Sequence, residues 1–288
     1  MRVKLSMLKR FFERSQRPVH TLLPALLLSC FSIAPLHADQ ERNWSDFLNG
    51  DHRSVENQQR DRYRHPRETL SFFGVKPCDT VVELWPGPLG WYTEILAPML
   101  RDCGQLITAQ FDAGHEIEFY RDARQRFEAK LSDRPDIYDR VKVTTLAPPQ
   151  QIDIAPAGSA DVVLTFRNIH NWLKRDQLDS VLKAAYRALK PGGVLGVVEH
   201  RADALFNRAE MIESGYVSEA LMAERARAAG FRLLARSEIN ANPHDFKRHP
   251  KGVWTLPPTL RLGDEDLERY LAIGESDRMT LKFIKPDE

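Results

Sequence analysis

From residue 80 onward the chain alternates short, nearly all-apolar runs with longer amphipathic segments. The apolar runs at 80–84, 105–111, 141–146, 161–166, 194–200 and 231–239 predict strands buried on both faces. The segments at 91–100, 115–131, 175–189 and 218–229 carry apolar positions at helical spacing, and Gly230 closes the last as a C-cap. Strands alternating with helices predict an α/β domain built on a parallel sheet with helices on both faces. Pro191-Gly192-Gly193 predicts a turn into the strand at 194–200, and the alternating run 279–285 predicts a closing strand.

Two stretches break this rhythm. Residues 39–74 are polar and highly charged, with Trp44, Phe47, Tyr63, Phe72 and Phe73 among their apolar positions, and predict a helical cover over the sheet edge or the site. Residues 240–278 hold Asn242-Pro243-His244-Asp245, Trp254-Thr255-Leu256-Pro257-Pro258 and Gly274-Glu275-Ser276-Asp277-Arg278. A loop region of that length inside a compact domain predicts a lid. Asp277 and Arg278 are placed to pair and pin it, or to form a surface ion pair of little weight.

The first residues have a different character. Arg2, Lys4, Lys9, Arg10, Arg14 and Arg17 precede an apolar run from Thr21 to Pro35, then Leu36-His37-Ala38. A basic region, an apolar core and a small residue at the cut predict a signal peptide over 1–38, with the domain over 39–288. Cleavage after Ala38 is preferred; Leu27-Leu28-Ser29-Cys30 keeps open a lipidated Cys30, and an uncleaved leader is the other way to contact a membrane. The expected location is periplasmic or secreted. The formal net charge of +1 among 288 residues gives no basic stripe for nucleic acid. Outside the leader only Cys78 and Cys103 remain, each just ahead of a predicted strand. Either they form a disulfide or they are two buried thiols.

Candidate chemistry gathers where predicted strands end. Val81-Val82-Glu83-Leu84-Trp85-Pro86-Gly87-Pro88-Leu89-Gly90 is a strand, an acid, a Gly/Pro turn and a helix start. Gly87 and Gly90 let backbone approach a ligand, and the following helix offers unpaired N–H groups. Glu83 either orders this loop or reaches a ligand ammonium through water. After the fourth main run come Asn168, His170 and Asn171, and at the end of the next Glu199, His200 and Arg201. His170 is the first candidate for a base, with Asn168 and His200 as further catalytic candidates. Glu199 is expected to pair with Arg201 or to take part in the site. His244, Asp245 and His249 have no spacing that fixes a tetrahedral metal site, so no metal is expected.

Val81–Gly90, the stretch Asp161–Trp172 and Leu189-Lys190-Pro191-Gly192-Gly193-Val194-Leu195 together resemble the class I S-adenosylmethionine-dependent methyltransferases, over about residues 65–288. Trp85-Pro86-Gly87, Trp91-Tyr92-Thr93, Arg167–Trp172 and Gly274–Arg278 resemble more narrowly a bacterial group of exported predicted methyltransferases. The resemblance implies a Rossmann-like, mostly parallel seven-stranded sheet with an antiparallel last strand. It implies S-adenosylmethionine as cofactor, held by Glu83, Gly87, Gly90, Asn168 and a group near the end of the second strand, and a small-molecule acceptor. The sequence departs from that pattern in two places. Trp85 stands where the family has glycine, and Gln110 stands where an acid normally holds the ribose, so Asp112 from a shifted position or Gln110 itself takes that contact. These departures keep a second reading open: a non-catalytic exported binding protein that retains the fold. A dinucleotide oxidoreductase is a poorer fit, because the loop lacks the third glycine of Gly-x-Gly-x-x-Gly.

Overall fold

The computed structural model describes residues 44–287; the segment expected to be a signal peptide, with Cys30 and Ala38, lies outside them. Among the described residues seven strands form one sheet in the order β3-β2-β1-β4-β5-β7-β6. They are β1 Thr80–Leu84, β2 Gln105–Gln110, β3 Lys142–Thr145, β4 Ala160–Phe166, β5 Leu189–His200, β6 Arg232–Ser237 and β7 Arg278–Ile284. Strands β1 to β5 pair in parallel, while β7 lies antiparallel between β5 and β6. This is the Rossmann-like methyltransferase arrangement. The helices are α1 over 44–49, α2 Val55–Gln59, α3 Asp61–Arg64, α4 Pro66–Phe73, α5 Thr93–Leu100, α6 Glu118–Asp133 and α7 Pro135–Tyr138. Then follow α8 Ile169–Lys174, α9 Leu178–Ala188, α10 Arg208–Ser214, α11 Glu219–Ala228 and α12 Leu267–Ile273.

The apolar runs become central strands because alternate side chains enter different cores. Val81, Leu106, Val162, Leu164 and Val198 pack with Leu70 and Phe73 of α4 and Ile95 and Leu96 of α5. Their neighbours Val82, Ile107, Val163, Leu195 and Val197 pack on the other face with α9 and with Met222 and Ala226 of α11. Pro66 opens α4 at its first turn, where the missing N–H costs nothing, and Gly74 ends it with a φ of 82°.

Three expectations need correction. Lys190-Pro191-Gly192-Gly193 is taken up into β5 instead of forming a separate turn, with Gly192 N donating to Lys285 O at 2.9 Å. Helices α8 and α10 were not predicted; α10 is started by a capping box between Asn207 and Glu210. The lid region is not all loop, since it contains the turn Gly252–Thr255 and α12.

Cys78 and Cys103 are joined in a disulfide with a Cα–Cα distance of 4.7 Å. It staples the entries of β1 and β2, where Thr80 and Gln105 are register partners. Closing a loop of 25 residues restricts the unfolded chain and contributes about 3.5 kcal/mol. Cys103→Ser is therefore expected to lower the free energy of unfolding by about 3 kcal/mol in a denaturant titration. An unchanged midpoint would show that this crosslink carries no stability.

Candidate functional site

The strand order reverses direction at β1, whose neighbours are β2 on one side and β4 on the other. Open α/β sheets place ligands in the crevice outside the carboxyl ends of the strands at such a switch point. Here that crevice is a cavity of about 530 Å³ lined by the Trp85–Leu89 loop, Arg167, Asn168, His170, His200 and Trp254, among others. That volume suits a small molecule. A neighbouring hollow, sharing Trp85, Phe111 and Tyr120 with it, is lined by Asp112, Ala147 and Gln151.

The glycine loop is set from behind. Gly87 has a φ of 74° and nothing within 4 Å of where a Cβ would stand, so its backbone is open to the cavity. Gly90 also has positive φ, but a Cβ there would meet Phe127 and Thr93, so its role is close packing. Glu83 does not line the cavity. It accepts a 2.7 Å hydrogen bond from Thr93 Oγ1, and burial raises its pKa to about 7 against the opposing effects of Thr93 and Lys130. Gln110 is buried too. Its Nε2 donates to Gly87 O at 2.9 Å and its Oε1 accepts from Phe111 N at 3.0 Å, so it holds the loop. A carboxylate there could not donate to Gly87, which gives the glutamine a physical reason. Asp112 faces the second hollow and accepts from Gly114 N at 3.0 Å.

Trp85 takes the glycine position with a φ of 46°. Its Nε1 donates to Leu146 O at 2.8 Å, and its ring packs 4.7 Å from Phe111 and 5.1 Å from Trp172, which offsets the left-handed backbone. Arg167, just past β4, is the second left-handed residue at this crevice, with a φ of 61°. Strain at both strand ends marks the cleft as a place where function outweighs local preference.

Asn168 lines the cavity, but its Nδ2 is committed to Leu84 O at 3.0 Å and Trp85 O at 3.2 Å. It ties the end of β4 to the end of β1 and acts as a positioning residue. His170, in the first turn of α8, pairs through Nδ1 with Glu199 Oε1 at 3.1 Å. Glu199 is fully buried and also accepts from the backbone N–H groups of His170 and His200, at 3.2 and 2.8 Å. The expected Glu199–Arg201 pair is not made. Arg201 instead binds Asp277, Glu219 and Glu238. His200 Nδ1 lies 2.5 Å from Ser276 Oγ. Burial, then His170 and three nearby arginines, keep His200 well below the ordinary histidine pKa, so its ring is neutral.

His170, Glu199 and His200 offer ligand atoms within 4.8 Å of one another, the spacing of a metal cluster. Arg278, Arg167 and Arg64 direct positive charge at His200, which opposes a cation there. The trio His244, Asp245 and His249 is not a cluster. Asp245 and His249 are buried and joined at 2.8 Å, while His244 is exposed. Asp245 also accepts from Tyr216 Oη at 2.9 Å and Asp277 N at 2.8 Å, so it anchors the segment 240–278. Trp254 then stands 5.9 Å from the His170 ring.

The largest feature absent from the sequence reading is an arginine cluster. Glu275 is buried and accepts from Arg60 Nε at 2.6 Å, from Arg64 Nε at 3.3 Å and from Arg278 Nη2. The expected Asp277–Arg278 pair is replaced by this contact. Burial pushes the Glu275 pKa up, but Arg278, Arg64 and Arg60 outweigh it and hold the carboxyl well below its usual range.

Residues 114–197 match the family model described as a methyltransferase domain, which is under a third of the chain. Among solved structures, the [4+2]-cyclase SpnF is 15% identical, with a TM-score of 0.54 over 87% of this chain and 96% of that one. A SAM dependent methyltransferase from Aquifex aeolicus is 16% identical, with a TM-score of 0.50 over 63% of this chain and 87% of that one. No curated protein compared with the sequence matches it. At these identities the similarity is one of fold. The chain has the Rossmann-like methyltransferase fold, a scaffold that also carries the cyclase chemistry named for SpnF.

Two variants test the site's electrostatics. Glu275→Gln leaves three guanidiniums without their carboxylate and is expected to cost about 3–5 kcal/mol by denaturant titration. A loss under about 1 kcal/mol would show that the cluster is solvated. Glu83 has a folded pKa near 7 against 4.5 unfolded. Its raised value means that the folded state holds the proton more tightly, so this contribution is full below pH 4.5 and is lost as pH rises through 7. Glu83→Gln is expected to flatten that decline, which reaches up to roughly 3 kcal/mol. Parallel stability–pH curves for the two proteins would refute it.

Proposed function

We propose that this chain transfers the methyl group of S-adenosylmethionine to a small-molecule acceptor, and that it does so outside the cytosol. The observation that carries the reading is the switch-point cavity, where the open backbone of Gly87 and the His170–Glu199 pair line or adjoin one space. The methyltransferase-domain match and the shared fold support it.

Two features of the cavity support the cofactor reading. Gly87 admits close approach of the amino-acid part, and the hollow beside Phe111 offers Asp112 to ribose hydroxyls. When bound, S-adenosylmethionine supplies an electrophilic methyl group on a sulfonium. The chain's own part is alignment and proton removal. Asn168 fixes the β4 loop against β1, and Trp254 with Pro257 and Pro258 closes the cavity wall. Glu199 holds His170 by Nδ1, leaving Nε2 as the atom to take a proton from the acceptor. The resulting imidazolium is stabilised by the buried carboxylate, the division of labour of a His–acid pair.

An exported location accords with the leader and with the Cys78–Cys103 disulfide, since disulfides persist in oxidising compartments. We place the mature chain in the periplasm or outside the cell, with a lipidated Cys30 or an uncleaved leader as the alternatives for a membrane tether. Among the described residues no helix is long and apolar enough to cross a membrane.

Calorimetry of the full chain with S-adenosylmethionine tests the reading. Saturable binding is expected, weakened about tenfold or more by Gly87→Val, which adds a side chain on the open face at a positive φ. His170→Asn is expected to bind the cofactor normally while failing to move a labelled methyl group into a small-molecule extract. No binding at millimolar cofactor would reject the proposal in favour of a binding protein that keeps the fold.

A further inference from the structure

The charges around the cavity are one-sided. Arg60, Arg64, Arg167 and Arg278 line it, and among the described residues no aspartate or glutamate does. Glu275 stands behind them and is already shared by Arg60, Arg64 and Arg278. Four guanidiniums therefore line the cavity with one carboxylate behind them, which binds three of the four.

Their hydrogen bonding is incomplete. Arg60 Nη2, both Nη atoms of Arg64 and Arg278 Nε are buried without an acceptor. Arg64 and Arg278 are each 2% exposed, so solvent does not supply what is missing. The Arg64 guanidinium lies 4.6 Å from the Trp91 ring centre, which holds its plane but accepts no conventional hydrogen bond. Arg167 is partly exposed and makes no side-chain hydrogen bond or ion pair among the described residues. Burial, then Arg278, lower its pKa to about 10. Like charges gathered at a cavity wall with unused donors call for an anion.

The same field bears on the cofactor. A sulfonium is a cation, and four guanidiniums at one end of the cavity repel it. Planar forked donors match the oxygens of phosphate and carboxylate. A single carboxylate, such as the cofactor's own, engages one guanidinium fork and leaves the rest unpaired.

We propose that the arginine-lined end of this cavity binds an oxyanion, phosphate or carboxylate, carried by the acceptor, and that its negative charge admits the sulfonium to the same space. The second half rests on the methyltransferase reading; the first half does not. Acceptor and cofactor then bind cooperatively, each relieving the charge that opposes the other.

The test uses calorimetry on the full chain with inorganic phosphate and succinate as probes. At least one is expected to bind saturably. Arg167→Gln is expected to weaken it about tenfold or more, and Arg167→Lys to retain part of it, with the thermal midpoint unchanged in both. Arg60→Gln, at a side chain more exposed than those of Arg64 and Arg278, serves as a second variant with the same expected direction. Absence of binding by both probes, or equal affinity in wild type and both glutamine variants, overturns the oxyanion site. A second arm measures S-adenosylmethionine affinity with and without the bound probe. Tightening of about fivefold or more supports the charge pairing. Unchanged affinity overturns the pairing, and competition assigns the guanidiniums to the cofactor's carboxylate and overturns the acceptor assignment. Probe binding with no cofactor binding in either condition supports the oxyanion site while rejecting methyl transfer. Cofactor binding with no probe binding does the reverse.

Discussion

One buried carboxylate organises this protein. Glu275 sits at the junction between the segment 240–278 and β7 and holds Arg60 and Arg64 from the N-terminal helices, together with Arg278 from the strand itself. Separations of 215 and 211 residues are closed by those two bonds to the cover. Arg278 also donates to Tyr63 O at 3.0 Å, a second link between the chain's two ends. Removing charges from water is costly, and a buried ion pair stabilises only where hydrogen bonding is nearly complete. Here it is incomplete by design of composition: three bases share one acid. The arrangement holds the cover over the cleft and at the same time leaves the cleft positive.

The cleft is shaped by a second constraint, the geometry of two strand ends. β1 and β4 both leave the sheet through a left-handed residue, Trp85 and Arg167. Each brings a large side chain to the crevice where a glycine would have been cheaper. Trp85 is compensated by its aromatic neighbours and its bond to Leu146. Arg167 is not compensated by any side-chain partner among the described residues, which leaves its charge facing the cavity. Gln110 and Asn168 then lace the loops together through their amide groups. His170 and His200 add a wall to the same space, and Glu199 holds His170 from behind it.

The sheet was legible because its signal is local. A run such as Val81-Val82 must be buried on both faces, and the helices between the runs show their period in every turn. β1 was read to the residue, and the other strands to within a few residues except where β5 extends back to Leu189. Helix α8 was hidden because Ile169–Lys174 is short and follows a functional loop, where local propensity is weak evidence. The cystine was undecided from sequence, since proximity of Cys78 and Cys103 depends on β1 lying beside β2.

The alternation of strand and helix, the Gly87 turn, and the candidates His170, His200 and Asn168 are each encoded in residues close together in the chain. The partners of those residues come from packing between distant segments. That packing turned Glu83 and Gln110 into supports, joined His170 to Glu199, and assembled Arg60, Arg64, Arg167 and Arg278 around one cavity. Electrostatic fields sum over distance in space and not along the chain, so a cluster drawn from three separate segments has no sequence signature. The fold could be read from periodicity; the sign of the site's charge could not.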